Sequence, residues 1–124
     1  MKTIKVKTSE LTGAALDWAV AEAEGLMPSK NWTGMYYRPS TDWGVTGLLI
    51  EKYKITLYWH PIYHYEDGDS QPCWEAQPHD VLLVAPDEYD PVGDTALIAA
   101  CRAIVASKLG DTVEVPEQLV EVKS

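Results

Sequence analysis

Four side chains able to bind a metal, His60, His64, Cys73 and His79, fall in one short stretch of the chain. Imidazole nitrogen and thiolate sulfur are the ligands zinc prefers. Pro61 stands between the first two histidines, however, and the stretch reads as a strand running into a loop without paired CxxC-like spacing. That pattern favours ordinary surface or hydrogen-bonding histidines over a zinc site. A Cys–His nucleophile built on Cys73 or Cys101 is less favoured still, because Cys101 falls on the apolar face of a helix, where cysteine is a small core residue. The turn Asp67-Gly68-Asp69-Ser70 lacks the bidentate glutamate of a calcium loop, since the twelfth position counted from Asp67 is Pro78. The chain contains no GxSxG, GxxxxGK[ST], GxGxxG or HExxH motif. No catalytic residue, metal ligand or cofactor is assigned, and a binding protein is favoured over an enzyme.

Two features suit ligand recognition. The segment NWTGMYYRPSTDWG, Asn31 to Gly44, concentrates aromatic rings around one arginine and several short hydrogen-bonding side chains. Tyr36, Tyr37 and Trp43, with Trp74 further on, are candidates to stack a base; Arg38 is suited to a phosphate, and Ser40, Thr41 and Asp42 to a ribose. The structural alternative is that the aromatics pin a long loop to the core and that Ser40-Thr41-Asp42 is a turn. The second feature is Arg102, the one charged residue between Ala96 and Ala106. A guanidinium in such a setting needs an acidic partner or a bound anion, and an internal ion pair is the simpler answer.

The elements that must position these residues follow from periodicity. Ile4 and Val6 alternate with Lys5 and Lys7, which predicts a short half-buried strand over Thr3–Lys7. Thr8, Ser9 and Thr12 are candidate caps for a helix through LTGAALDWAVAEAE that stops at Gly25. Its apolar arc holds Leu11, Ala15, Trp18, Ala19 and Ala23, with Asp17 and Glu24 pointing the other way. Leu26 to Gly47, interrupted by Pro28, Gly34, Pro39, Gly44 and Gly47, reads as a long aromatic loop, and Leu48–Lys52 with Ile55–Trp59 as a hairpin or bent strand pair. A brief strand at Trp74–Ala76 and a buried strand at Val81–Ala85 are expected next. Asp94 is the expected cap of a helix over Thr95–Leu109 that ends at Gly110. This helix is apolar all round and therefore central, and its Ala99, Ala103 and Ala106 suit close packing within the chain or a symmetric pair in a homodimer. Val113 and Val115 then alternate ahead of Pro116, the start of a last short turn. The resulting fold class is α+β, a small antiparallel sheet packed against two main helices in a single domain over 1–124.

Composition narrows the function classes. The 124 residues are 46% hydrophobic and 23% charged, which is ordinary for a globular domain with its own core. No apolar run suits a membrane span or a leader peptide, and two cysteines without a framework suit a reducing cytosol. Glu66, Asp67, Asp69, Glu75, Asp80, Asp87, Glu88, Asp90 and Asp94 occur in one stretch that lacks Lys and Arg, and elsewhere acids and bases balance, so this stretch carries the net charge of −9. Direct nucleic-acid binding is disfavoured, whereas solubility or attraction of a basic partner is compatible.

Three blocks, Ser9–Gly25, Tyr37–Lys52 and Gly93–Leu119, resemble the NinX-like family of small proteins of tailed phages and prophages. The resemblance implies a phage accessory protein of unknown function acting in the cytosol of a bacterial host, and it brings no catalytic residue with it. The segment from Tyr53 to Gly93 lies outside the three blocks. Two functions are compatible. One is a non-enzymatic module that sequesters a nucleotide-derived small molecule of host defence. The other is an acidic interaction module, in effect a nucleic-acid mimic, that binds a basic host protein.

Overall fold

Alternation of β-branched and charged residues makes Thr3–Lys7 the first strand, β1, and it pairs antiparallel with the last, β5, Thr112–Pro116. In that register Ile4 faces Val115 and Val6 faces Val113 toward the core, while Lys5 faces Glu114 on the exposed side. The computed structural model describes residues 2–26, 28, 37–64, 68, 70–78 and 91–120. A 3-10 turn, Thr8–Glu10, follows β1 and is anchored to the far end of the chain. Buried Thr8 donates from its hydroxyl to the Gly110 carbonyl (2.6 Å) and from its N–H to the Asp111 carbonyl (2.7 Å).

The first helix, α1, spans Gly13–Ala23 with Thr12 at its N-cap position. Its end shows why Gly25 was a usable stop signal. Leu26 N–H reaches back to the Ala21 carbonyl and Gly25 N–H to the Glu22 carbonyl, a pair of bonds that needs the left-handed φ of +74° found at Gly25.

The largest departure from the sequence reading comes next. Trp43–Tyr53 is a helix, α2, where a loop end and a strand at Leu48–Lys52 were expected. Asp42 caps it, accepting the Gly44 N–H at 2.9 Å, and Thr46, Leu49 and Tyr53 recur at helical spacing as its buried face. Gly44 and Gly47 had suggested a loop, and β-prone residues between 48 and 52 a strand. Tertiary burial of the 46–49–53 face outweighs both. Lys54, in the left-handed conformation, ends the helix.

The chain then enters a three-stranded antiparallel sheet in the order β2 (Ile55–His64), β3 (Ser70–Pro78), β4 (Val92–Gly93). The expected strands Ile55–Trp59 and Trp74–Ala76 lie within β2 and β3. The expected strand Val81–Ala85 lies outside the described residues. Between His60 and Tyr63 the register shifts, at the point where Pro61 has no N–H to donate.

The third helix, α3, spans Ala96–Leu109 and is capped by Thr95, whose hydroxyl accepts the Ile98 N–H at 3.1 Å, rather than by Asp94. As its composition implied, it is central, packing on α1, β3 and β4. Ala99, Ala100, Cys101, Ala103, Ile104 and Val105 are all buried. Ala99 and Ala103 are thus enclosed by the chain's own elements, and Ala106 is half-buried. The core joins this helix to Leu16 and Val20 of α1, Leu49 of α2, Ile55, Ala76, Val113 and Val115. The architecture is α+β, as expected, with three helices and two small antiparallel sheets among the described residues. Among the described residues, no helix is long and apolar enough to cross a membrane.

Candidate functional site

The residues proposed to hold a ligand divide between two settings. The first is the turn that opens α2, residues 37–43. Tyr37 is half-buried against the core, and burial, reinforced by the nearby Glu24, pushes its hydroxyl up to about 12. The Arg38 carbonyl accepts the Thr41 N–H at 3.0 Å, and the Pro39 carbonyl accepts the buried Thr46 hydroxyl at 2.5 Å. Ser40, itself buried, donates its N–H to Asp17 Oδ1 at 2.7 Å. With Asp42 engaged at the helix cap, Ser40, Thr41 and Asp42 build the turn that leads into α2. Arg38 and Trp43 stay exposed, Trp43 to 57%. Tyr36 lies outside the described residues.

Periodicity places Asp17 on the outward face of α1, yet it is only 4% exposed. The polar face of that helix is covered rather than solvated. Near its other end Glu24 accepts the Tyr53 hydroxyl and the Lys52 ammonium, the latter at 3.0 Å. The Lys52 and Lys108 ammonium groups lie over the Tyr53 ring, at 5.1 and 5.5 Å from its centre. Burial pushes the Asp17 carboxyl above the usual carboxylate range, opposed by the Ser40 N–H and by the Arg38 charge. An acid raised in the folded state binds more protons there than in the unfolded chain. Its effect on stability is therefore most favourable at low pH and falls as pH rises from 3.8 through the raised value. Asp17→Asn keeps an acceptor for Ser40 without the charge. Its unfolding free energy, measured in urea from pH 3 to pH 8, is expected to gain on that of the wild type as pH rises. A constant difference across that range would contradict this.

The second setting is the corner of β3, β4 and α3. Trp74 lies opposite Trp59 on β2, with ring centres 5.3 Å apart and planes tilted by 54°. Trp59 is 51% exposed, so one indole is offered to solvent while the other holds it against the sheet. On its other side Trp74 pairs with Gly93 of β4, and the first turn of α3 lies directly on that glycine. Arg102 reaches the same corner. Its Nε donates to the Leu11 carbonyl at 3.0 Å and its Nη1 to the Val92 carbonyl at 2.8 Å. Main-chain carbonyls, a partner the sequence reading did not weigh, thus take two of its donors.

Sequence reasoning also passed over Trp59 and, on the opposite face of the hairpin, the pairing of His60 with Glu75. There His60 Nε2 lies 2.7 Å from a carboxylate oxygen of the buried Glu75, whose other oxygen accepts the Gln77 amide at 2.5 Å. Cys73 faces His60 in the register and is fully buried. The period-2 spacing of Cys73, Glu75 and Gln77 is the available signal, obscured because propensity supports a strand only over Trp74–Ala76 where β3 runs from Ser70 to Pro78. Among the described residues no group of three His, Cys, Asp or Glu side chains could hold a metal ion, and His79 of the zinc set lies outside them. Cys101 is buried beside Asp17 and Thr46, and burial pushes its thiol up to about 12, a poor starting point for a nucleophile. Of the acidic stretch only Glu75 and Asp94 are described.

A match to the family described as Bacteriophage P22, NinX spans residues 7–108. The chain belongs to that family. The match also takes in 53–92, between the second and third blocks of resemblance, so the Trp59–Trp74 pair and the His60–Glu75 contact lie within the NinX region. Among curated proteins none matches the chain. NinX membership makes this a phage protein and by itself assigns neither a ligand nor a reaction.

Proposed function

We propose that this NinX-family protein is a non-enzymatic binding module that works in the bacterial cytosol and sequesters a nucleotide-like small molecule of host defence. The observation that carries the reading is the half-exposed Trp59 ring set against Trp74 on a paired sheet. A rigid, tilted indole pair gives a planar heteroaromatic ring a stacking surface at little cost in ordering, and stacking of a base is worth about 1–3 kcal/mol. Trp74 thereby keeps the role assigned from sequence, and Trp59 joins it. Arg102, engaged with two carbonyls, serves the scaffold. The non-enzymatic part is supported by the burial of Cys101, which pushes its thiol up, and by the absence of the common hydrolase and nucleoside-triphosphatase motifs.

The test is a titration with nucleotides, cyclic oligonucleotides and ADP-ribose derivatives, followed by tryptophan fluorescence and thermal unfolding. A ligand at 100 times its dissociation constant adds about 2.7 kcal/mol, a shift of several degrees for a chain of this size. The shift is expected to vanish in Trp59→Ala and to survive in Trp43→Ala. Absence of any shift across the panel, or a shift that Trp59→Ala leaves intact, would refute the stacking surface.

A further inference from the structure

Successive side chains of a strand point to opposite faces of the sheet, so each member of the Trp59–Trp74 pair has a chain neighbour on the other face. Those neighbours, His60 and Glu75, are joined to each other, with His60 Nε2 2.7 Å from a carboxylate oxygen of Glu75. In the register His60 faces Cys73 and Glu75 faces Tyr58, so the contact is a diagonal tie between the strands. It closes the regular part of the ladder, because the register shifts immediately after His60. Trp59 and Trp74 form the rung beside it, so a change in the tie changes the twist at that rung.

The two partners differ in access to solvent. The Glu75 side chain is 7% exposed, whereas that of His60 is 34% exposed and open to bulk protons. A buried carboxylate without a counter-charge is costly. Gln77 offers its second oxygen only a neutral amide, and among the described residues His60 is the one group within ion-pair distance. Around the pair stand Cys73 and Tyr58 on the hairpin and Val92 of β4 opposite Glu75, with exposed Asp94 just past that strand. Helix α3 lies on the other face, against Gly93, where its Arg102 donates to the Val92 carbonyl and its Lys108 lies over Tyr53. On α2, Lys52 is held by Glu24 and Glu51 is exposed.

We propose that His60 and Glu75 form a proton-operated clamp that sets the tilt of the two tryptophans behind it. Histidine is the side chain that changes charge near physiological pH. With His60 protonated, a charge-assisted bond to Glu75 draws the end of the ladder together; with His60 neutral, Glu75 keeps only neutral donors and the tie slackens. Protons thereby regulate any ligand stacked on Trp59. That consequence rests on Trp59 being a stacking surface, whereas the clamp itself does not.

Two coupled indoles give an exciton signal in far-ultraviolet circular dichroism that follows their mutual tilt, and Trp59→Phe identifies it by removing it. Recorded on the full chain without ligand from about pH 5 to pH 8, this signal is expected to change in one step. The step is expected to be lost in His60→Gln and in Glu75→Gln, each of which removes the charged pair, and to persist in His64→Gln. A wild-type signal that stays constant over the range, or a step that survives either of the first two substitutions, would overturn the clamp. Should Glu75→Gln fail to fold, the more exposed His60 position decides alone. A chain that binds no nucleotide leaves this measurement unaffected, so the clamp and the stacking surface fail separately.

Discussion

Replacing Arg102 by Met is expected to cost about 2–4 kcal/mol, a fall of about 8–15 °C in the melting temperature of a chain this long. Methionine supplies an apolar stem of similar length but no donors, so the carbonyls of Leu11 and Val92 lose the N–H groups now 3.0 and 2.8 Å away. Those bonds tie α3 to the chain just before α1 and to β4, so their loss is felt in two places. Arg102→Lys should recover only part of the loss, because one ammonium does not reproduce the fork that spans both carbonyls. Urea denaturation of the three proteins at neutral pH gives the comparison. A loss below about 1 kcal/mol for the Met variant would show that the guanidinium is not structural, and would return Arg102 to the candidates for an anion site.

The second large effect is expected at Gly93. A methyl group there would sit 2.7 Å from the Ala99 nitrogen and 2.7 Å from Ile98 Cγ2. Backbone inside a helix cannot step aside as a side-chain tip can, so the first turn of α3 must lift off β4. Gly93→Ala is expected to cost about 2–3 kcal/mol, at the upper end of overpacking by a single methyl. Because Gly93 pairs with Trp74, the displacement should also change the fluorescence of the Trp59–Trp74 pair in the folded protein. Unchanged stability in a urea melt would mean that α3 has more room at this corner than the geometry allows.

How far the site could be read in advance varies along the chain. The N-terminal strand, the central helix and the strand around Val113 and Val115 were legible because each has one strong period and clear punctuation. Gly25 and Gly110 ended their helices as expected. Helix α2 was not legible, because Gly44 and Gly47 weaken its propensity and only Thr46, Leu49 and Tyr53, once buried, define its face. Trp74 was named as a stacking residue, but the register that gives it Trp59 as partner is a property of the paired strands.

The sequence by itself determined the family, the α+β class, the central position of α3 and the lack of common catalytic motifs, all of which depend on local pattern or residue type. The tertiary structure decided the surroundings of each polar group. Asp17 and Glu24 lie on the side of α1 that periodicity turns toward water, and α2 with its preceding turn covers that side. Two donors of Arg102 go to carbonyls that only the meeting of α3 with β4 and the chain before α1 provides. Helical and strand periods report which face of an element is apolar. What lies over the opposite face depends on contacts between residues far apart in the chain, such as Asp17 with Ser40, and no local period encodes those.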